Sequence, residues 1–151
     1  LKTINNDGAP LAAPDTLDFT LRLARAYALL TRRLDGPLGS LHGLSFSDFQ
    51  LLDALERTPR RRLRRIDLAN AVGLTASGVT RTLMPLEKIG LVTRESDARD
   101  ARVGYAVLTS AGRRVVREAR VTVAQVSADV LEDADMTALD SLMQATNKLG
   151  T

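Results

Sequence analysis

Between Ile66 and Leu108 the chain sets out an order of elements that few folds accommodate: a short helix, a glycine turn, a second helix and two extended stretches. IDLANAV (66–72) reads as a helix closed by Gly73, a residue suited to the left-handed backbone at helix C-termini. Thr75 offers its hydroxyl as an N-cap. The residues after it are apolar at helical spacing to about Ile89, just ahead of Gly90. Two helices joined by a glycine-containing turn form a helix-turn-helix. LVTRE (91–95) and VGYAVL (103–108) come next, rich in Val, Leu and Tyr, with the polar SDARDAR (96–102) between them. They predict a β-hairpin with a charged tip. A helix-turn-helix followed by a hairpin is the winged-helix arrangement.

The flanking segments are helical. Residues 1–14 contain Gly8, Pro10 and Pro14 without periodicity and are expected to form a flexible tail. A helix capped by Asp15 or Thr16 is expected to reach about Leu34. Phe19, Leu23, Ala26, Leu30 and Leu34 form one apolar row and Leu17, Leu21, Ala24 and Ala28 a second. The glycine-rich stretch 35–44 reads as a loop. A second helix starts at Ser45, with both Ser45/Asp48 and Ser47/Gln50 at capping-box spacing, and ends near Arg57. RRRLRR (60–65) reads as a turn and a short extended piece. Thr109 caps a long helix to about Leu131 with Val115, Ala119, Val123, Val126 and Val130 in register. Asp133 or Asp135 begins a last helix with Met136, Leu139, Met143, Thr146 and Leu149 on one side.

The expected fold is therefore mainly α with a small β-hairpin. It is a winged helix-turn-helix with N- and C-terminal dimerisation helices. One domain spans 15–151, with a DNA-binding part at about 45–108 and dimerisation helices at about 15–34 and 109–149. Dimerisation follows from apolar excess. The two rows of the first helix exceed what a small winged-helix core needs, and Val126, Val130, Met136, Leu139 and Leu142 repeat the excess beyond the wing. A twofold homodimer would bury that surface.

Charge is unevenly placed. The net +3 resolves into −1 over residues 1–55, +8 over 56–120 and −4 over 121–151, and 18 of the 21 basic residues are Arg. Guanidinium forks match phosphate oxygens and guanine edges, so the middle of the chain suits a polyanionic partner. The acidic end suits a region held away from phosphates. Aromatics are 3% and Trp is absent, which speaks against base-stacking platforms for single strands or RNA. The absence of Cys excludes disulfides, thiol redox sensing and zinc–thiolate sites. A single His, with no glycine-rich phosphate loop, argues against an enzyme, a cofactor or a metal centre. No apolar run approaches the ~20 residues that span a bilayer, and no membrane partner is expected. A cytoplasmic protein is the expectation.

At 100° per residue, Val79, Leu83 and Leu86 share one side of the helix after Thr75. Ser77, Arg81, Met84 and Lys88 take the opposite side, with Thr80 on its flank. This pattern suits a recognition helix in the major groove of double-stranded DNA. Arg81 is the candidate for a bidentate contact to guanine; Ser77 and Thr80 are small enough for close approach. In the hairpin tip, Arg99 and Arg102 are candidates for a narrow minor groove, and Asp100 is placed to hold Arg102 by an ion pair. Some of Arg60, Arg61, Arg62, Arg64 and Arg65 suit phosphates. The alternative is a winged helix used as a protein-interaction module without a ligand switch.

LSFSDFQLLDAL (44–55) and the run from Ile66 to Arg113 resemble the MarR (multiple antibiotic resistance regulator) family. The resemblance rests on LA-x-x-x-G-L (68–74), S-x-V-T-R (77–81), L-E-K-x-G-L-V-x-R (86–94), D-x-R-D-x-R (97–102) and L-T-x-x-G-R (108–113), in that order. It implies a homodimer, joined through its first and last helices, that binds a pseudo-palindromic operator, with repression as the expected outcome. It also implies release by a small aromatic carboxylate or phenolic effector near the junction of the first, second and long helices. Arg22, Arg25, Tyr27 and His42 are the candidate polar groups for that ligand. By the same resemblance Ser77, Thr80 and Arg81 face the groove, Arg102 enters the minor groove and Asp100 supports it. Pro85 departs from the family pattern, where a polar residue is usual. An interior Pro costs a helix about 3 kcal/mol, so a kink or a shortened recognition helix is expected.

Overall fold

The computed structural model describes residues 16–97, 104–132 and 135–146. The expected tail, 1–14, lies outside them, as do the hairpin tip with Arg99, Asp100 and Arg102, and Asp133 and Leu149. The chain divides into two compact units, residues 1–32 and 33–151. Six helices are present: α1 (Thr16–His42), α2 (Phe46–Glu56), α3 (Arg65–Val72), α4 (Ala76–Lys88), α5 (Ser110–Val130) and α6 (Met136–Thr146). Strands β1 (Arg62–Arg64), β2 (Val92–Ser96) and β3 (Gly104–Leu108) complete the order.

In the first unit, residues 16–32 of α1 leave Leu17, Phe19, Leu21, Tyr27 and Leu29 exposed. Its polar ties are local: Arg22 pairs with Asp18 at 2.6 Å, and Thr20 Oγ1 donates to the Thr16 carbonyl at 2.7 Å.

The second unit holds the core. Leu51, Leu52 and Leu55 of α2 are fully enclosed with Leu68 of α3, Val79, Leu83 and Leu86 of α4, and Val116 and Ala119 of α5. Leu34, Leu38 and Leu44 complete the cluster. The loop expected at 35–44 is helical as far as His42, and Pro37 lies inside α1. The apolar demand decides this: Leu34 and Leu38, one turn apart, are both buried only if the helix continues through the proline. Gly36 also lacks the Cβ that would clash with the proline ring. The chain turns at Gly43, whose φ of 67° suits glycine, and Asp35 receives the Phe46 N–H at 2.7 Å.

The caps follow local chemistry. Ser45, rather than Ser47, forms the capping box of α2 with Asp48. Thr75 and Thr109 cap α4 and α5, and Gly73 closes α3 with φ 68°. The sheet has three strands rather than two, in the order β1-β3-β2, all antiparallel. On α5 the enclosed row is Gly112, Val116, Ala119 and Thr122, not the expected row through Val115, because that is the side that meets α2.

Candidate nucleic-acid interface

The helix-turn-helix is α3 and α4, joined by Gly73, Leu74 and Thr75. Thr75 Oγ1 accepts the Gly78 N–H and lies 3.1 Å from Ser77 Oγ. Val79, Leu83 and Leu86 anchor α4 to the core, while Ser77, Arg81, Met84 and Lys88 stand exposed on its other side. Thr80 is half-buried and returns its hydroxyl to the Ala76 carbonyl at 3.0 Å. Arg81 opens onto a cleft between α4 and the start of α2 that Ser47, Asp48 and Gly78 also line. Pro85 shortens nothing: α4 continues to Lys88. Pro85 has no N–H for the Arg81 carbonyl, yet Leu83 and Leu86 on either side of it stay buried.

The hairpin is locked to the C-terminal end of α4. The Leu91 carbonyl accepts the Thr109 N–H at 3.1 Å, and the Thr109 hydroxyl donates to the Gly90 carbonyl at 2.7 Å, with the Leu91 carbonyl a second acceptor at 3.1 Å. Thr109 Oγ1 in turn accepts the Gly112 N–H. Gly112 packs so closely that a Cβ there would collide with the Leu91 carbonyl oxygen. Arg94 of β2 reaches back to Glu87 of α4 at 2.6 Å. The wing is thus set against the recognition helix by the Thr109 cap and the close-packed Gly112 at the start of α5, and by the Arg94–Glu87 pair between β2 and α4.

Tyr105, on the central strand β3, organises one face of the sheet. The Arg62 guanidinium lies over its ring at 4.4 Å and that of Arg64 at 6.0 Å, and its hydroxyl donates to Asp97 at 3.1 Å. Arg62 also pairs with Glu95 at 3.2 Å.

Much of the central basic charge is neutralised internally. Glu56, whose side chain is only 6% exposed, meets Arg117 at 3.0 Å, Arg113 at 3.4 Å and Arg61 at 3.2 Å. The Arg61 contact is an ion pair without hydrogen-bond alignment, since Glu56 Oε2 has no hydrogen-bond partner. Asp53 holds Arg57 and Arg120, each at 2.6 Å. Five guanidiniums thus tie α2 to α5 and to the turn before β1. Sequence reasoning missed this network, although Asp53 and Glu56 share a helix face, as do Arg113, Arg117 and Arg120.

Burial pushes the Glu56 carboxyl up, but the Arg117 hydrogen bond and the charges of Arg117, Arg113 and Arg61 outweigh it and hold it below the ordinary range. A depressed carboxyl adds stability above its unfolded pKa, and that stability is lost as pH falls through the folded value. Glu56→Gln should therefore cost about 1–3 kcal/mol at pH 7. It should cost progressively less below about pH 4. Urea midpoints at the two pH values check this, and an equal loss at both would show that the charge of Glu56 is not what stabilises.

The four effector candidates divide between the two units. Arg22, Arg25 and Tyr27 stand exposed in the first unit. His42, expected in a loop, occupies the last turn of α1, with Nε2 2.8 Å from Thr122 Oγ1 of α5. An open groove between α2, α3 and α5 is lined by Phe46, Phe49, Leu63, Val72 and Val123, with Asp53 and Arg57 among its polar groups. None of the four lines it. Among the described residues no group of His, Asp and Glu could hold a metal, and no helix is long and apolar enough to cross a membrane.

Residues 42–103 match the model of the MarR family. The chain is similar to the solved structure of the transcriptional regulator BldR from Sulfolobus solfataricus, at 28% identity and TM-score 0.80, covering 89% of this chain and 94% of that one. It is similar to Sco3205, a MarR family transcriptional regulator from Streptomyces coelicolor solved in complex with DNA. That match has 29% identity and TM-score 0.79 over 91% and 89% of the two chains. CouR from Rhodococcus jostii RHA1, solved bound to p-coumaroyl-CoA, shares the fold at 20% identity and TM-score 0.76 over 93% and 95%.

Proposed function

We propose, from the match of residues 42–103 to the MarR family model and the likeness to Sco3205 solved with DNA, that the chain is a MarR family transcriptional regulator that binds a pseudo-palindromic double-stranded operator as a homodimer and represses transcription there. It acts in the cytoplasm as a regulator and not as an enzyme. The observation that carries this reading is α4: capped, anchored by three buried apolar residues, and exposing Ser77, Arg81 and Lys88 on its free side. Such a helix fits the major groove with its N-terminal part toward the bases. Ser77 and Thr80 allow close approach, Arg81 takes the base contact, and Lys88 takes a phosphate. Arg99 and Arg102 enter the minor groove, with Asp100 orienting Arg102. Arg81→Ala should lower specific affinity by about 1–3 kcal/mol and relax preference at one base pair per half-site. Fluorescence titrations against single-base operator variants check it. An equal loss for every sequence would make Arg81 a phosphate contact.

Dimerisation rests on the exposed apolar side chains of α1, from Leu17 to Leu29, and on Val121, Val130 and Leu131 at the C-terminal half of α5. The side chains of Met136 and Leu139 lie outside what the structure describes. A small aromatic carboxylate or phenol is the proposed effector; the p-coumaroyl-CoA bound by CouR, a CoA thioester, shares with that class only its phenol ring. Arg22, Arg25, Tyr27 and His42 are its proposed partners. A ligand that favours the DNA-incompetent state shifts the population away from the operator. Calorimetry with aromatic acids, followed by operator titration of each complex, tests this; binders that leave operator affinity unchanged would overturn it.

A further inference from the structure

The arginines before the helix-turn-helix are not equivalent. Arg57, Arg61 and Arg62 face the carboxylates of Asp53, Glu56 and Glu95. Arg64 and Arg65 have no carboxylate within ion-pair distance among the described residues. Both stand at one end of the sheet. Arg64 pairs in register with Tyr105, and Ser96 with Gly104, so this is the end from which the hairpin tip departs. The Tyr105 ring supports Arg64 at 6.0 Å. Arg65 lies over bare backbone: a Cβ on Gly104 would come 3.1 Å from its Nη2 and 3.7 Å from its Nε. The glycine leaves room for the guanidinium, and the tyrosine restrains the one beside it. Arg64 and Arg65 thus present one guanidinium beside Tyr105 and one beside Gly104, neither in an ion pair among the described residues, and each can take a phosphate oxygen.

We infer that Arg64 and Arg65, seated on Tyr105 and Gly104, form a phosphate clamp beside the wing and extend the duplex interface to the junction of β1 and α3. This rests on the duplex-binding reading above. The clamp positions the duplex and carries no sequence information.

The test is the slope of log Kobs against log salt for the full chain on one operator-length duplex and one scrambled duplex. Each phosphate contact contributes about 0.9 to that slope, so Arg64→Gln with Arg65→Gln should reduce it by roughly 1.8. At 0.15 M salt each substitution should cost about fivefold, equally on both duplexes. The Lys pair at the same positions should restore most of the slope. Gly104→Ala, which crowds the Arg65 guanidinium, should weaken binding in the same salt-dependent way while Tm is kept. Arg57→Gln removes an equal charge already tied to Asp53 and should leave the slope nearly unchanged. An unchanged slope in the Arg64/Arg65 double variant, or an equal fall with Arg57→Gln, would overturn the clamp while leaving duplex binding standing. A wild-type chain with no salt-dependent duplex binding would overturn the underlying reading instead.

Discussion

Gly112→Ala should destabilise the second unit by about 3 kcal/mol or more, beyond the usual cost of overpacking by one methyl. The new Cβ meets the Leu91 carbonyl oxygen, a backbone atom that cannot step aside, and crowds Leu108. That carbonyl also receives the Thr109 N–H and hydroxyl. Moving it loosens hydrogen bonds worth about 0.5–1.5 kcal/mol each. A chain of this size should lose roughly 6–12 °C of Tm for such a change. Gly39→Ala is the contrast: its Cβ would make only one contact, at 4.0 Å, and the helix should gain about 0.5–1 kcal/mol. Thermal unfolding of the two variants checks the account. A Gly112→Ala protein as stable as wild type would mean that the junction of α4, β2 and α5 is not as closely packed as Gly112 against the Leu91 carbonyl requires.

Leu21→Glu combined with Leu29→Glu should leave the fold of each chain intact and abolish tight operator binding. Leu21 is 61% and Leu29 48% exposed in the isolated chain, so charging them removes little packing. In a dimer the same side chains are covered, and buried carboxylates without partners are costly. Losing the second half-site removes an effective concentration that multiplies affinity by about 10²–10⁴. Sedimentation equilibrium with operator titration reads both effects. A double variant that stays dimeric with full affinity would place the interface elsewhere.

What the sequence made legible was mostly local. Ser45, Thr75 and Thr109 cap helices because each hydroxyl satisfies an N–H three residues ahead, and Gly73 closes α3 because few other residues tolerate its φ. The division of α4 into Val79/Leu83/Leu86 and Ser77/Arg81/Lys88 needed only the helical period. The errors were long-range. The glycine-rich stretch 35–44 read as a loop because burial of Leu38, which carries α1 through it, depends on distant residues. β1 is three residues of alternating Arg and Leu, and only its register with Val107, Ala106 and Tyr105 makes it a strand. The Asp53–Glu56 network joins residues about 60 apart in sequence, so basic charge credited to a polyanion partner serves partly to hold α2 against α5. Arg62 and Arg64 on Tyr105 were hidden for the same reason.

The most direct test of the central claim is to sequence the duplexes that the pure full-length protein retains from a random pool at about 0.15 M salt, the physiological value. The account predicts enrichment of a pseudo-palindrome whose half-sites are centred about one helical turn apart, roughly 10 bp, with the enrichment at one position per half-site lost in Arg81→Ala. Retained sequences indistinguishable from the input pool, at every salt concentration that permits binding, would contradict it.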